Sequence, residues 1–361
     1  MVYATILSLN LLMIFATLQD NMDLVFNLEE IGQIDTPGMA RDVVVKGDAA
    51  FVAAMSITSS INGGLFIFNI SDPSRPQLLG HFFDEGSSHR LLVEDDIVFV
   101  ADNFGGLEVF NVSNLTNPVK IIEVSGTING FYKKERFLYA ADYSEGLLIF
   151  DITNLTKPME ITRYTDFDHA LMHLIRNNLA YVSDDSGLKI LDISNLSNIT
   201  ELVSYSYDYY VYDLQFAGEI AYTACARSIF EAGEGIKIWN ASDPLNFALM
   251  GSFFDGGMAF DLQILNNYAL VADFNDGVEI IDVSNPYNPI KVTNYYDGGN
   301  ATQLYVVDDL IYVADGFDGL EIIRMIPSDE WTTSSIGTPS FGLFLAVVGM
   351  LGLLQLKRRF D

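Results

Sequence analysis

Paired aromatic residues followed by an aspartate recur along this chain, as Phe82-Phe83-Asp84, Phe253-Phe254-Asp255 and Tyr295-Tyr296-Asp297. Looser versions, YTDFD at 164–168 and YSYDYY at 205–210, add Asp168 and Asp208. Carboxylate oxygens are hard donors that suit calcium, with Asp255 and Asp297 the leading candidates. Aromatic faces suit sugars or cations. The same residues have a plainer use, in which the rings pack in a core and the aspartates cap turns. A second set, Arg41, Asp42, His89, Arg90, Asp213 and Asp261, mixes both charges at the start of strands that should face a central axis. It either binds a small polar ligand or pairs with itself around buried water.

Outside these two sets, reactive chemistry is scarce. The chain has no G-x-S-x-G, phosphate-loop, C-x-x-C or H-E-x-x-H motif, so neither an enzyme nor a cofactor is expected, calcium excepted. His169 and His173 would meet at a metal only on a helix; on a strand their spacing spans about 13 Å. Cys225, the only cysteine, lies in the apolar run AYTACA, which excludes an intrachain disulfide and suits a buried thiol. With 19 basic and 48 acidic residues, net −29, the chain lacks the cations that nucleic acid needs. Such a balance favours cations or basic partners, or a solvated acidic surface.

These residues hang on a repeat. A glycine followed by an apolar residue occurs at Gly64, Gly106, Gly146, Gly187, Gly235, Gly277 and Gly319, with spacings between 40 and 48 residues. A strand-rich period of that length predicts a β-propeller of seven four-stranded antiparallel blades, an all-β fold. In each copy a first strand, such as ARDVVVKG or AFDLQILN, should line the axis. A second, such as IVFVAD or LIYVAD, should end in a turn opened by Asp102, Asp142, Asp184, Asp273 or Asp315 and closed by the glycine. A third, such as LEVFNV, and a fourth, such as IKVTNYY, complete the copy. The last copy stops after its third strand, whereas residues 26–35, FNLEEIGQID, read as a fourth strand with no blade of its own. The N-terminal segment should therefore complete the last blade and remove an exposed edge. The propeller then spans 26–327. All [FY]-[FY]-D connections would reach one face, where Asp84, Asp168, Asp208, Asp255 and Asp297 could form an acidic ring.

The signature [LIV]-x-[IV]-x-[DN]-[VI]-[ST]-[ND]-[PL], preceded by YVAD and GL, resembles the LVIVD-repeat family of prokaryotic propellers. That resemblance implies the fold and an exported or surface protein, and it implies no single reaction. WD repeats fit less well, because no Gly-His…Trp-Asp pairs occur. Integrin-type calcium blades also fit less well, because no D-x-D-x-D-G run occurs.

Both ends are hydrophobic. Residues 1–20 read as a signal peptide or a retained N-terminal anchor. After a Ser/Thr linker at 328–340, residues 336–356 carry no charge and would reach roughly 31 Å as a helix, enough to span a membrane. Lys357, Arg358 and Arg359 in the 357–361 tail place that end in the cytoplasm and the propeller outside. The motif Pro339-Ser340-Phe341-Gly342, the hydrophobic span and the basic end together resemble archaeal PGF-CTERM sorting tails, with Ser340 departing from their usual form. Eight N-x-[ST] sequons, at Asn69, Asn111, Asn114, Asn154, Asn195, Asn198, Asn240 and Asn300, would permit glycosylation, although turn chemistry alone generates most of them.

The expected function is a membrane-anchored surface module for binding, adhesion or scaffolding, with a protein, glycan or cation as partner. One alternative is an extracytoplasmic glycan lyase or hydrolase working in the acidic funnel with His89 or His169. A second is a structural part of a surface layer.

Overall fold

The computed structural model describes residues 26–327, apart from 57–62, 85, 104, 168 and 228–233. The signal segment, linker, membrane helix and basic tail expected from the sequence lie outside the described residues, as does Asp168. Among the described residues no helix is long and apolar enough to cross a membrane.

Seven four-stranded antiparallel sheets form a closed ring of blades. Their first strands are Met39–Lys46, Ser88–Glu94, Ile128–Lys134, Leu171–Arg176, Tyr210–Ala217, Asp261–Leu265 and Gln303–Val307. Each packs beside the first strands of both neighbouring blades, so these seven surround the axis. As expected, Phe26–Ile34 supplies the outer strand of the seventh blade, next to Leu320–Pro327.

The second and third strands are apolar at nearly every position because both of their faces are covered. In the first blade, Ala50, Val52 and Ala54 face the seventh blade, whereas Ala49, Phe51 and Ala53 face the second. The core is thus a set of inter-blade layers. The N-terminal strand contributes to two of them, Phe26 and Leu28 on one side, Ile31 and Ile34 on the other.

The seven repeat glycines all have positive φ, from 63° at Gly235 to 138° at Gly187. A Cβ on Gly277 would also stand 2.1 Å from the Tyr295 carbonyl oxygen, so the hairpin accepts only glycine there. The aspartate at the end of strand two organises the same turn. Asp142 Oδ1 accepts the amides of Ser144 and Glu145 at 2.8 and 2.9 Å, and its Oδ2 accepts the amide of Thr127. In the fifth blade Cys225 takes that place, paired across from Gly235. Its thiol is buried, donates to Thr223 Oγ1 at 3.3 Å and is pushed up to about 12 by burial, as suits a structural cysteine.

Candidate functional site

A β-bulge at one register position decides what faces the axial mouth. In five first strands one residue is skipped in the pairing with strand two: Arg41, His89, Asn129, His173 and Tyr212. Phe260 and Thr302 take the corresponding place, immediately before the first paired residues Asp261 and Gln303. A bulge re-aims its extra side chain. Six of these seven residues, together with Arg90, Gly130, Leu171, Asp261 and Gln303, line a cavity of about 220 Å³.

The second sequence-derived set therefore comes together. Arg41, His89, Arg90 and Asp261 line the cavity, and Asp42 and Asp213 are buried with Asp261 around Arg90. Arg90 Nη2 lies 4.0 Å from Asp213 Oδ1. One guanidinium serves three carboxylates, and burial outweighs its help: Asp42 is pushed up to about 6, and Asp213 is raised. Asp261 rises well above the usual carboxylate range through burial and the nearby Asp213. These aspartates also tie blades together. Asp42 Oδ2 accepts the Leu91 amide at 2.5 Å and Asp261 Oδ2 the Leu304 amide at 3.1 Å. Gln215, Gln263 and Gln303 make similar bonds to Ile264, Val306 and Val43.

Arg41 differs from Arg90. Its guanidinium has no ion pair and no hydrogen bond among the described residues. Burial pulls it below its ordinary value, and it stands by the Tyr212 hydroxyl. Tyr212 and Phe260 make a tilted ring contact, with centroids 4.5 Å apart, at the same cavity. His89 is held down to about 3 by burial, with Arg41 and Arg90 adding to the effect, and its Nε2 lies 2.9 Å from Ser87 Oγ. The imidazole is therefore uncharged, and Arg41 is the cation that the cavity leaves free.

The [FY]-[FY]-D aspartates are instead gathered into three separate groups. Asp84 joins Asp102 and Glu108; Asp255 joins Asp273, Asp276 and Glu279; Asp297 joins Asp315 and Glu321. The short connection between blades folds each aspartate onto the third strand of its own group rather than toward its counterparts. Asp208 is exposed, 3.7 Å from Arg227. Of the paired aromatics, Phe82, Phe253 and Tyr295 pack between blades, while Phe83, Phe254 and Tyr296 are exposed. At Asp255, Lys291 Nζ lies 2.7 Å away and also bonds Glu279. An internal cation thus occupies one of the two places where calcium was expected. Lys120 does the same at Glu108, 2.7 Å away, and Asp84, 3.8 Å away.

His169 and His173 have different partners. His169 stacks on Tyr143 at 3.7 Å and pairs with Asp185, whereas His173 is buried with Nε2 2.7 Å from Ser183 Oγ. In the turn after strand three, the sequon asparagines act as hydrogen-bond acceptors. Asn111 Oδ1 takes the Ser113 amide at 2.9 Å, and Asn154 Oδ1 takes the Thr156 amide at 3.1 Å. Asp151, Asp192 and Asp282 do the same in other blades. Turn geometry thus accounts for the recurrence of the motif. Oδ1 is the acceptor, and Nδ2 has no hydrogen-bond partner among the described residues, at the exposed Asn114, Asn154, Asn195 and Asn240.

Sequence reading missed Asn129 and Tyr212, because nothing in one strand announces a bulge, and Phe260, Thr302 and Gln303, because their meeting at the axis depends on how the first strands converge. It also missed the glutamates of the blade groups. A signal for those was present: an acidic residue stands two places after the repeat glycine only at Glu108, Glu279 and Glu321.

These features define a class: a seven-bladed propeller with a polar axial mouth. The LVIVD repeat matches residues 37–84, 85–125, 134–166, 174–207, 256–297 and 298–324, more than half of the chain. The chain belongs to the LVIVD-repeat family. The unmatched stretch is the fifth blade, which carries Cys225 in place of the turn aspartate and Lys237 in place of the strand-three glutamate. Solved structures similar in fold include the Neurospora crassa Pan2 WD40 domain, with TM-score 0.63 and 12% identity over 87% of this chain and 98% of that one. A chain of the mitotic checkpoint complex gives 0.58 and 11% over 82% and 94%. The computationally designed Ika8 protein gives 0.55 and 11% over 82% and 100%. At these identities the likeness concerns the fold alone. No curated protein sequence matches.

Proposed function

We propose that this protein is a non-catalytic binding module, anchored in the membrane and displayed outside the cell, whose axial mouth takes an anionic group. The group would be an acidic sugar or acidic side chain of a surface glycan or protein. The observation that carries this reading is Arg41, a cation without a partner among the described residues, which lines a cavity together with Tyr212 and Phe260. Guanidinium groups pair with carboxylates in bidentate fashion, and aromatic faces seat sugar rings. A cavity of about 220 Å³ is smaller than a typical small-molecule site, which suits one terminal group of a larger partner. The charge-free run at 336–356 and its basic flank support the anchor, and the exposed sequons support export. Peptide mapping of protein from its native host should find a glycan on at least one of Asn114, Asn154, Asn195 and Asn240. Bare peptides at all four would remove that support.

The full chain is expected to retain acidic oligosaccharides on a glycan array, in preference to neutral ones. Arg41→Ala should weaken that binding at least about tenfold, the scale of one charge-assisted contact, with an unchanged melting temperature. Equal retention by the variant would move the site elsewhere.

One observation favours the enzymatic alternative: Asp261 lines the cavity with its carboxyl held above the usual range, as a glycosidase acid requires. Cleavage of a retained oligosaccharide, lost in Asp261→Asn, would put that reading first. A lattice role is less well supported, because exposed apolar residues such as Leu78, Met159, Leu249 and Ile290 lie in outer strands of different blades.

A further inference from the structure

Three blades carry a glutamate on strand three that points into a group of carboxylates, and two of them answer it with a lysine. The position of that lysine can be counted from the carbonyl that abuts the repeat glycine. This carbonyl belongs to Val124 beside Gly106, Tyr295 beside Gly277 and Ile34 beside Gly319. Four residues earlier stand Lys120, Lys291 and Glu30. The seventh blade, whose outer strand comes from the N-terminus, thus places a fourth carboxylate where its sister blades place an ammonium.

The consequence appears in the geometry. Asp297, Asp315 and Glu321 bring carboxylate oxygens within 4.8 Å of one another, and none of the three has a cation partner among the described residues. Glu30 is close enough to act on Glu321, and the Tyr295 hydroxyl donates to Glu30 Oε2 at 3.0 Å. Glu321 is only 2% exposed, and its Oε1 has no hydrogen-bond partner among the described residues. A buried carboxylate oxygen without a donor is costly unless something positive meets it. Asp297 Oδ1 accepts the Gly299 amide at 2.9 Å, so this arm of the group is already oriented.

We infer that the seventh blade binds a divalent cation through Asp297, Asp315, Glu321 and Glu30, and that the ion fastens the N-terminal strand to the blade that closes the ring. An all-oxygen, carboxylate-rich donor set selects calcium over transition metals. The site is independent of the axial mouth.

Calorimetric titration of the chelator-treated full chain with calcium chloride tests the assignment. The expected result is one ion per chain, with Kd of roughly 10⁻⁶–10⁻⁴ M, and a melting temperature that rises with calcium. Glu30→Lys restores the arrangement of the sister blades. It should fold, melt in chelator no lower than the parent, and bind calcium at least about tenfold more weakly, because it adds a competing positive charge. Glu321→Gln keeps the shape and removes one ligand charge; it should also weaken binding, and it carries the test if the lysine variant misfolds. The assignment is overturned if the parent takes up no calcium, or if both variants bind it as the parent does.

Discussion

Arg90→Met is expected to cost about 3–5 kcal/mol of folding stability at pH 8, the range for removing one partner of a buried ion pair. Much of that loss should disappear near pH 5. Arg90 is the cation around which Asp42, Asp213 and Asp261 are buried, and without it they face one another with only amide donors for help. The pH dependence originates in Asp42. Its folded value is raised, to about 6, above that of an unfolded aspartate. The folded state therefore holds the proton more tightly than the unfolded chain does. That contribution is fully present below about pH 4 and is lost as pH rises through about 6, on the order of 3 kcal/mol in all. Removing Arg90 strengthens the same trend, since nothing then favours the ionised forms. Asp42→Asn keeps an oxygen for the Leu91 amide and removes the charge, so it should raise stability at pH 8 and flatten the pH profile. Denaturant midpoints at pH 5 and pH 8 for the three proteins decide the matter. An equal loss for Arg90→Met at both pH values would mean that its side chain acts through packing alone.

Deleting residues 26–35 should damage the protein as much, by a different route. Phe26, Leu28, Ile31 and Ile34 are partly buried in two inter-blade layers. At about half the value of full burial they contribute roughly 3–6 kcal/mol together. The deletion also bares the edge of Leu320–Pro327, which then offers its unpaired backbone to another chain. A lower melting temperature and larger species in size-exclusion chromatography are expected. A synthetic peptide of sequence FNLEEIGQID, added in trans, should reverse part of both effects. A monomer that melts like the parent would show that the seventh blade stands on three strands.

The two predictions differ in how far the sequence alone could have reached them. The N-terminal strand was legible because the last copy of the repeat lacks a fourth strand and the first is preceded by a spare one. The charge cluster around Arg90 was legible as a mixed-charge set at the start of the first strands, facing the axis, but not in its pairings. That one arginine would serve three aspartates from three blades depends on how the first strands converge at the axis. The acidic ring expected at the mouth failed for a related reason. Asp84, Asp255 and Asp297 share a motif, and a shared motif fixes a common place in each blade without bringing the copies together. Only residues at the axis meet their counterparts in other blades.

The sequence by itself determined the all-β class, the seven blades, the positive-φ glycines, the aspartate and asparagine turns, the structural character of Cys225 and the closure of the ring. These arise from interactions between near neighbours or from the alternation of side chains along a strand, both of which repeat every blade. Tertiary structure alone decided which side chains enter the axial cavity, that Arg41 is left unpaired there among the described residues, and that Lys120 and Lys291 neutralise two acidic groups while Glu30 stands beside the third. The reason is distance along the chain. Asp42 meets Leu91 49 residues away, and Glu30 meets Tyr295 265 residues away. Pairings of that kind are fixed by the register between blades, which no local pattern encodes.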